Sequence, residues 1–272
     1  MEKQKILNIY KATIENKRKN DRPLCIFIGG LPGSGKTNLI ERVIEEYSDR
    51  DFIVIDKDKY RKFYEDNGEL LKNPEHYIEK TRDISTQIEI EILQNAIKDR
   101  YDIISVSSMR ATKDLESFTY RLVKEAGYDI GSCILSVPSI ECALSAQRRY
   151  EKQIINNEVP RGASISFLKD VDRGIIETIR MLQSKHEKPF IKIYYRGEGE
   201  EELPIVAYDS RSSKNYSCAL EAFMNPPHRI STTQIKEQID ELYKSKRSRK
   251  AAPSEYEKIK EIEEFCEFKR EK

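Results

Sequence analysis

Short apolar runs alternate with longer amphipathic segments along this chain. Apolar runs of roughly four to eight residues bounded by turn signals predict buried strands, and apolar residues at helical spacing predict helices. The predicted strands are residues 24–28, 52–55, 101–106, 130–137, 190–195 and 204–208. Strands that alternate with helices favour an α/β fold, which we expect to hold a parallel sheet of five to six strands flanked by helices.

The helical pattern is strongest in a few segments. Helices are predicted over residues 1–20, 38–47, 73–99 and 111–126. A later helix contains Arg148–Glu151, gives way to the polar residues 156–163 and resumes at Ser164. Each helix lies next to a predicted strand, as in a chain that winds back and forth across one sheet.

The composition becomes more charged after Pro226-Pro227. Helices are expected over residues 231–246 and 253–272, and the basic run 244–250 is more typical of a solvated linker than of a nucleic-acid surface. We therefore expect a main domain over residues 1–225 and a C-terminal helical extension over residues 226–272.

The first strand ends in a glycine-rich turn that opens into a helix. Gly30, Gly35, Lys36 and Thr37 match the pattern G-x-x-x-x-G-K-[ST] of phosphate-binding loops. Backbone N–H groups in such a loop cradle a polyphosphate, the lysine reaches the β- and γ-phosphates, and the Thr37 hydroxyl is the expected Mg²⁺ ligand. The alternative is a strand-to-helix turn that binds nothing. The residues predicted to bind ATP or GTP are Gly30, Leu31, Pro32, Gly33, Ser34, Gly35, Lys36 and Thr37.

Two acids follow the second predicted strand. Asp56 and Asp58 come at the end where α/β sheets bind ligands, and in an extended segment they would share one face. A kinase needs a carboxylate near the γ-phosphate to accept the proton of the attacking hydroxyl. Asp58 is the candidate, and the alternative is that it only caps the next helix.

Arginines occur where a kinase lid would carry them. Arg149 lies before the polar interruption and Arg161 within it. A helix, a polar loop with arginine and a second helix can close over a transferred phosphoryl group. The alternative is that Arg149 and Arg161 are ordinary surface arginines.

Charge and cysteine content exclude several classes of function. Lys and Arg number 48 against 47 Asp and Glu, so no global positive field recruits nucleic acid or a membrane surface. The five cysteines form no C-x-x-C pair, which argues against a zinc site or a disulfide framework. With no apolar run near about 18 residues and no export pattern at residues 1–5, we expect a cytoplasmic protein.

The motifs together resemble the zeta toxins, P-loop kinases of bacterial toxin–antitoxin modules that phosphorylate the 3′-hydroxyl of UDP-N-acetylglucosamine. The likeness runs from about the first helix to Asp209. It rests on residues 29–37, Val54–Asp58, Gly127-Tyr128, Val137-Pro138, Arg149–Glu151, Pro160–Ala163 and Val206–Ser210.

The resemblance implies a role for each matched residue. Lys36 would bind phosphates, Asp58 would be the catalytic base, and Arg149 and Arg161 would clamp the triphosphate. A glutamate on the long helix would hold the sugar nucleotide; Glu91 fits best and Glu89 is possible. Thr119 falls where a substrate-binding threonine is expected, and a small helical antitoxin is the implied protein partner.

The end of the third strand departs from the family pattern. Where the family usually has Glu-Gly-Thr, this chain has Val106-Ser107-Ser108. Ser107 and Ser108 are therefore candidate substrate contacts, and the acceptor is in question. A kinase for another hydroxyl acceptor, such as a dinucleotide, a nucleoside or an antibiotic, is one alternative. A nucleotide-binding interaction module without turnover is the other.

Overall fold

The computed structural model describes residues 3–64, 77–110, 115–184, 189–197, 199, 202–212 and 216–268. Its strands are β1 (Leu24–Gly30), β2 (Ile53–Asp56), β3 (Ile103–Val106), β4 (Asp129–Ser136), β5 (Phe190–Tyr195) and β6 (Ile205–Asp209). They form one sheet in the order β2-β3-β1-β4-β5-β6. The expected α/β fold is confirmed.

The described helices cover the sheet and continue beyond it. They are α1 (Lys3–Ile14), α2 (Lys36–Glu46), α3 (Lys57–Tyr60), α4 (Tyr77–Lys80), α5 (Arg82–Lys98), α6 (Leu115–Glu125), α7 (Ser139–Ile155), α8 (Ile165–Ser184), α9 (Ala219–Met224), α10 (Thr232–Ser248) and α11 (Pro253–Phe268), with a 3₁₀ turn at Arg61–Phe63. No helix among them could span a membrane.

The sheet is parallel except at one edge. β1 to β5 pair in parallel, whereas β6 pairs antiparallel with β5. The connection between β5 and β6 is too short for the crossover that a parallel partner needs, which explains the difference from the parallel expectation. All seven residues of β1 and all four of β3 are buried. Because the parallel strands end at the same edge, the loops after them meet there.

The predicted helix 73–99 is confirmed over its described part, and residues 73–76 lie outside that part. The helix is interrupted at Thr81, between α4 and α5. Both the N–H and the hydroxyl of Thr81 donate to the Tyr77 carbonyl, at 3.1 and 2.6 Å, and a hydroxyl that back-bonds in this way bends helices. The predicted helix 111–126 is described from Leu115 onward.

One prediction about the C-terminal helices is wrong. The basic run 244–250 is not a solvated linker, because α10 continues through Ser248 and the Lys246 side chain is 0% exposed. Apolar residues of α10 and α11, among them Leu242 and Ile259, are buried in the same core as the sheet. The domain boundary at residue 225 stays a prediction.

Candidate phosphoryl-transfer site

The glycine-rich loop after β1 has a backbone that only glycine adopts without strain. Gly33 and Gly35 have φ of 82° and 99°. A Cβ at Gly33 would lie 2.2 Å from the Cys142 carbonyl oxygen, so α7 packs directly on the loop. α2 begins at Lys36, and the first N–H groups of a helix have no intrahelical acceptor. The loop therefore offers backbone donors and a positive helix end to an anion.

Arg196, directly after β5, braces this loop. Its Nη2 donates to the carbonyl oxygens of Gly33 at 2.7 Å and Ser34 at 2.9 Å. Because the C=O and N–H of a trans peptide point in opposite directions, the N–H groups of these two peptides point away from Arg196. The sequence prediction missed Arg196, although a cation directly after a parallel strand lies at the ligand-binding edge of the sheet.

Lys36 lies within this loop, and Thr37 lies beside it. The Lys36 Nζ donates to the carbonyl oxygens of Gly30 at 3.0 Å and Leu31 at 3.1 Å. Burial lowers the pKa of Lys36, while the nearby Asp58 carboxylate acts in the opposite direction. The Thr37 side chain is exposed at the start of α2.

Asp56 and Asp58 do not form the extended pair that the sequence suggested. Asp56 is the last residue of β2, and its Oδ1 accepts a hydrogen bond of 3.0 Å from the Asp58 N–H. Asp56 is therefore the helix cap, and Asp58 lies within α3. The alternative that Asp58 only caps the helix is wrong, because Asp56 is the cap and the Asp58 carboxylate bonds to Arg61.

The Asp58 carboxylate is paired with two arginines. Arg61 Nε donates to Oδ1 at 2.7 Å, and Arg161 Nη1 lies 3.6 Å from Oδ2. Burial raises the pKa of Asp58, but the Arg61 hydrogen bond and the positive charges around it outweigh burial, so the pKa is lowered. Asp58 is therefore ionised at neutral pH.

Arg61 was missed by the sequence analysis. Its side chain is buried, and its Nη1 also donates to the Ile78 carbonyl at 3.2 Å and to Thr81 Oγ1 at 2.8 Å. These bonds fix the guanidinium and, through it, the carboxylate of Asp58. The spacing of three residues on a helix, which brings side chains together, could have indicated the pair.

The two arginines of the predicted lid lie side by side. Arg149 Nη2 donates to the Arg161 carbonyl at 3.3 Å, and the Arg161 N–H donates to Gln153 Oε1 at 2.9 Å. Burial and the neighbouring charge of Arg161 lower the pKa of Arg149. The positive charges of the two side chains therefore act on one another, and an anion bound by both would offset that repulsion.

Of the two candidate glutamates, Glu89 and not the preferred Glu91 is the one on which the charges of the two acids act. The pKa of Glu89 is raised to about 7, mainly by burial. The charge of Lys57 lowers this pKa, whereas the charges of Asp56 and Asp58 raise it further. The Glu89 Oε2 is buried and has no hydrogen-bond partner among the residues that the structure describes. Glu91 instead accepts a bond of 3.1 Å from Gln87 on the exposed side of α5. Helical periodicity could have indicated this, since Glu89 lies one turn from the buried Ser85 and Leu93.

The end of β3 lies between β1 and β2. Val106 is 7% exposed and pairs in register with Asp56 on one side and Ile28 on the other. Ser107 and Ser108 are half-buried, and Ser107 Oγ accepts from the Met109 N–H at 2.9 Å. Thr119 is partly exposed on α6, and its predicted role stays a prediction.

Lys36, Asp58, Arg149 and Arg161 are thus brought together at the carboxyl edge of the sheet. The phosphate-binding loop, the strand order and this charge cluster define a P-loop protein with a kinase-like fold. The family model described as "Zeta toxin" matches residues 9–212. The chain belongs to the zeta toxin family.

Individual relatives agree with the family match. The chain is 26% identical over 159 residues to Toxin zeta of Streptococcus pyogenes, covering 58% of this chain and 55% of that protein. It is 23% identical over 205 residues to Toxin PezT of Streptococcus pneumoniae, covering 75% and 78%. A structure of the PezAT toxin–antitoxin system of S. pneumoniae has the same fold, with a TM-score of 0.70 at 20% identity over 90% of this chain and 94% of that one.

Proposed function

We propose that this protein transfers the γ-phosphoryl group of ATP or GTP to a hydroxyl of a sugar nucleotide, the 3′-hydroxyl of UDP-N-acetylglucosamine in the first instance, and acts as a bacterial toxin. The observation that carries the proposal is the convergence of three cations, Lys36, Arg149 and Arg161, with the carboxylate of Asp58. Phosphoryl transfer is catalysed mainly by positioning and charge stabilisation, and these are the groups that it needs.

Lys36 and the two arginines would neutralise the triphosphate. The Lys36 Nζ exchanges its two loop carbonyls for phosphate oxygens, and the arginines enclose the transferred group. Thr37 is an oxygen donor of the kind Mg²⁺ prefers. Among the described residues no group of three or more His, Cys, Asp or Glu could hold a metal. In kinase sites Mg²⁺ is ligated largely by substrate phosphates and water. Such an ion supplies charge neutralisation on the phosphates.

Asp58 would accept the proton of the acceptor hydroxyl. In the present arrangement Arg61 and Arg161 keep its pKa low, so the carboxylate is charged but weakly basic. When Arg161 turns to the phosphates, Asp58 loses one of its two arginine partners and becomes more basic where the proton is released. Arg61, fixed by Ile78 and Thr81, keeps the carboxylate in place.

Glu89 is the proposed acceptor-binding glutamate. Its buried Oε2, which has no partner in the described part of the chain, has hydrogen-bonding capacity left for a substrate hydroxyl or amide. Its pKa of about 7 allows it to donate or to accept near neutral pH. Ser107, Ser108 and Thr119 are the further proposed contacts.

A small helical antitoxin is the proposed protein partner, since relatives of this chain are toxins and the PezAT structure is of a toxin–antitoxin system. We place it against α1 and the carboxyl edge of the sheet near Lys36. Expression of the chain alone should slow bacterial growth, and Lys36→Ala should relieve the effect. Equal growth with both would contradict the toxin role.

Arg61→Met should move the acidic limb of the pH profile of kcat/KM to higher pH. Arg61 lowers the pKa of Asp58, so its loss lets that pKa rise, and the active carboxylate is then protonated sooner as the pH falls. The Ile78 carbonyl and Thr81 also lose a buried donor, which costs about 1–3 kcal/mol of stability. Lys62→Met, at the exposed next residue, is the control, and an unmoved acidic limb in Arg61→Met would refute this role.

Ser107→Gly should change the ratio of kcat/KM between UDP-N-acetylglucosamine and other acceptors by about ten- to hundredfold. It restores the residue that the family usually has and removes a hydroxyl at the end of β3, where unmade polar contacts cost about 1–3 kcal/mol. Val106→Glu is an unsuitable test, because Val106 is buried beside Asp56 and a glutamate there would carry a buried charge.

The comparison uses several UDP-sugars and NAD-type dinucleotides, with Ser184→Gly, an exposed serine at the end of α8, as the control. An equal ratio in wild type, Ser107→Gly and Ser184→Gly would show that this strand end does not set specificity. The second candidate function is a kinase for a different hydroxyl acceptor, and the observation that favours it is the pair Ser107 and Ser108 at this strand end. Poor use of UDP-N-acetylglucosamine by the wild type would support it.

A further inference from the structure

The helical hairpin formed by α10 and α11 packs behind α7, the helix that carries Arg149. Glu151 of α7 accepts hydrogen bonds from Lys246 Nζ at 2.6 Å, Arg249 Nε at 2.9 Å and Ser245 Oγ at 3.1 Å. Glu255 of α11 completes the cluster through a bond of 3.1 Å from Arg249 Nη1. Two acids and two cations balance one another, which allows Lys246 to be fully buried.

The same helix holds the loop with Arg161, residues 156–164, which we term the arginine loop. Tyr150 lies between loop and hairpin, with Lys246 Nζ 5.1 Å and Lys258 Nζ 5.3 Å from its ring centroid. Gly162 packs on that ring, and a Cβ there would lie 3.3 Å from Tyr150 Cδ2. Arg149 and Gln153, one turn apart on α7, hydrogen-bond to Arg161 itself.

The hairpin also contacts the far end of the arginine loop. The N–H of Ile165, the first residue of α8, donates to Glu261 Oε2 of α11 at 3.4 Å. Lys169 Nζ of α8 lies 5.1 Å from the ring centroid of Phe265. The hairpin thus contacts α7 before the arginine loop and α8 after it.

We propose that the α10–α11 hairpin positions Arg149 and Arg161 for catalysis, with Glu151, Lys246 and Tyr150 as positioning residues. This rests on the proposed phosphoryl transfer. The hairpin lies beyond residue 212, where the match to the family model ends. Buried ion clusters are weak evidence for stability alone, whereas transfer rates depend on ångström-scale placement of charged groups.

Lys246→Met tests this directly. It keeps the length of the buried stem, and Glu151 retains Arg249 as a partner. We expect kcat to fall about tenfold, with the KM for ATP changed less than about twofold and an unchanged circular dichroism spectrum. Backbone amides of the arginine loop should exchange with deuterium faster. Lys244→Met, an exposed lysine on the same helix, should behave as wild type in every respect.

Deuterium exchange of the arginine loop can be measured without turnover, so it tests the positioning role separately from the proposed kinase activity. A wild type without transfer activity would refute only the kinase activity. If folded Lys246→Met kept the kcat and the loop exchange rates of the wild type, the positioning role would be overturned. The same would hold if Lys244→Met changed both quantities as much as Lys246→Met does. If Lys246→Met does not fold, Tyr150→Phe, which removes a hydroxyl close to the Glu255 carboxylate, replaces it. Faster loop exchange in that variant supports the role, and unchanged exchange overturns it.

Discussion

Lys36→Ala should lower kcat by about 10²–10³ and weaken nucleotide binding by about ten- to hundredfold. The Lys36 Nζ lies at the loop carbonyls of Gly30 and Leu31, from which it would move to the phosphates. Charge-assisted hydrogen bonds contribute about 1.5–3 kcal/mol to binding, and loss of one donor to developing charge costs about 10²–10³ in rate. Isothermal titration with ATP and steady-state kinetics measure the two effects separately.

Lys98→Ala is the matched control for this substitution. Lys98 is exposed at the end of α5, near the start of β3 and thus at the sheet edge opposite the phosphate-binding loop. It should leave both affinity and kcat unchanged. Wild-type nucleotide affinity and turnover in Lys36→Ala would contradict the assignment of the glycine-rich loop as the triphosphate site.

Asp58→Asn should reduce kcat by about 10²–10⁴ and leave nucleotide affinity close to that of the wild type. Asparagine keeps the shape of the side chain and a hydrogen-bond acceptor for Arg61 but cannot take up a proton. The effect should appear in kcat, because the base acts on the acceptor and not on the bound nucleotide. This separation from Lys36→Ala distinguishes the two roles.

Asp83→Asn, at an exposed acid in the first turn of α5, is the control for loss of one negative charge. It should have wild-type kinetics. If Asp58→Asn lost ATP affinity to the same degree as Lys36→Ala, Asp58 would be a nucleotide-binding residue, and its assignment as the base would fail.

Local sequence patterns account for the parts of the site that lie within one element. The glycine-rich loop is predictable because Gly30, Gly33 and Gly35 must take up positive φ at fixed spacing. The sheet edge is predictable because parallel strands end together. The interrupted helix around residues 156–163 also appears where the polar run indicated.

Contacts between distant elements could not be predicted in this way. Arg196 braces the loop from a strand more than 160 residues away, as its bonds to Gly33 and Ser34 show. Lys246 lies in a basic run typical of solvent exposure, yet its side chain is buried, and its ammonium group pairs with Glu151 and Glu255 on two other helices. Nothing within the run itself encodes those partners.

Transfer of a phosphoryl group from ATP to a small hydroxyl acceptor can be tested directly in one measurement. The wild type is incubated with γ-labelled ATP, Mg²⁺ and a bacterial metabolite extract, and the products are identified by mass spectrometry. We expect label in a phosphorylated sugar nucleotide with the wild type, and none above background with Asp58→Asn. Label that stays in ATP or inorganic phosphate with the wild type would contradict phosphoryl transfer to such an acceptor.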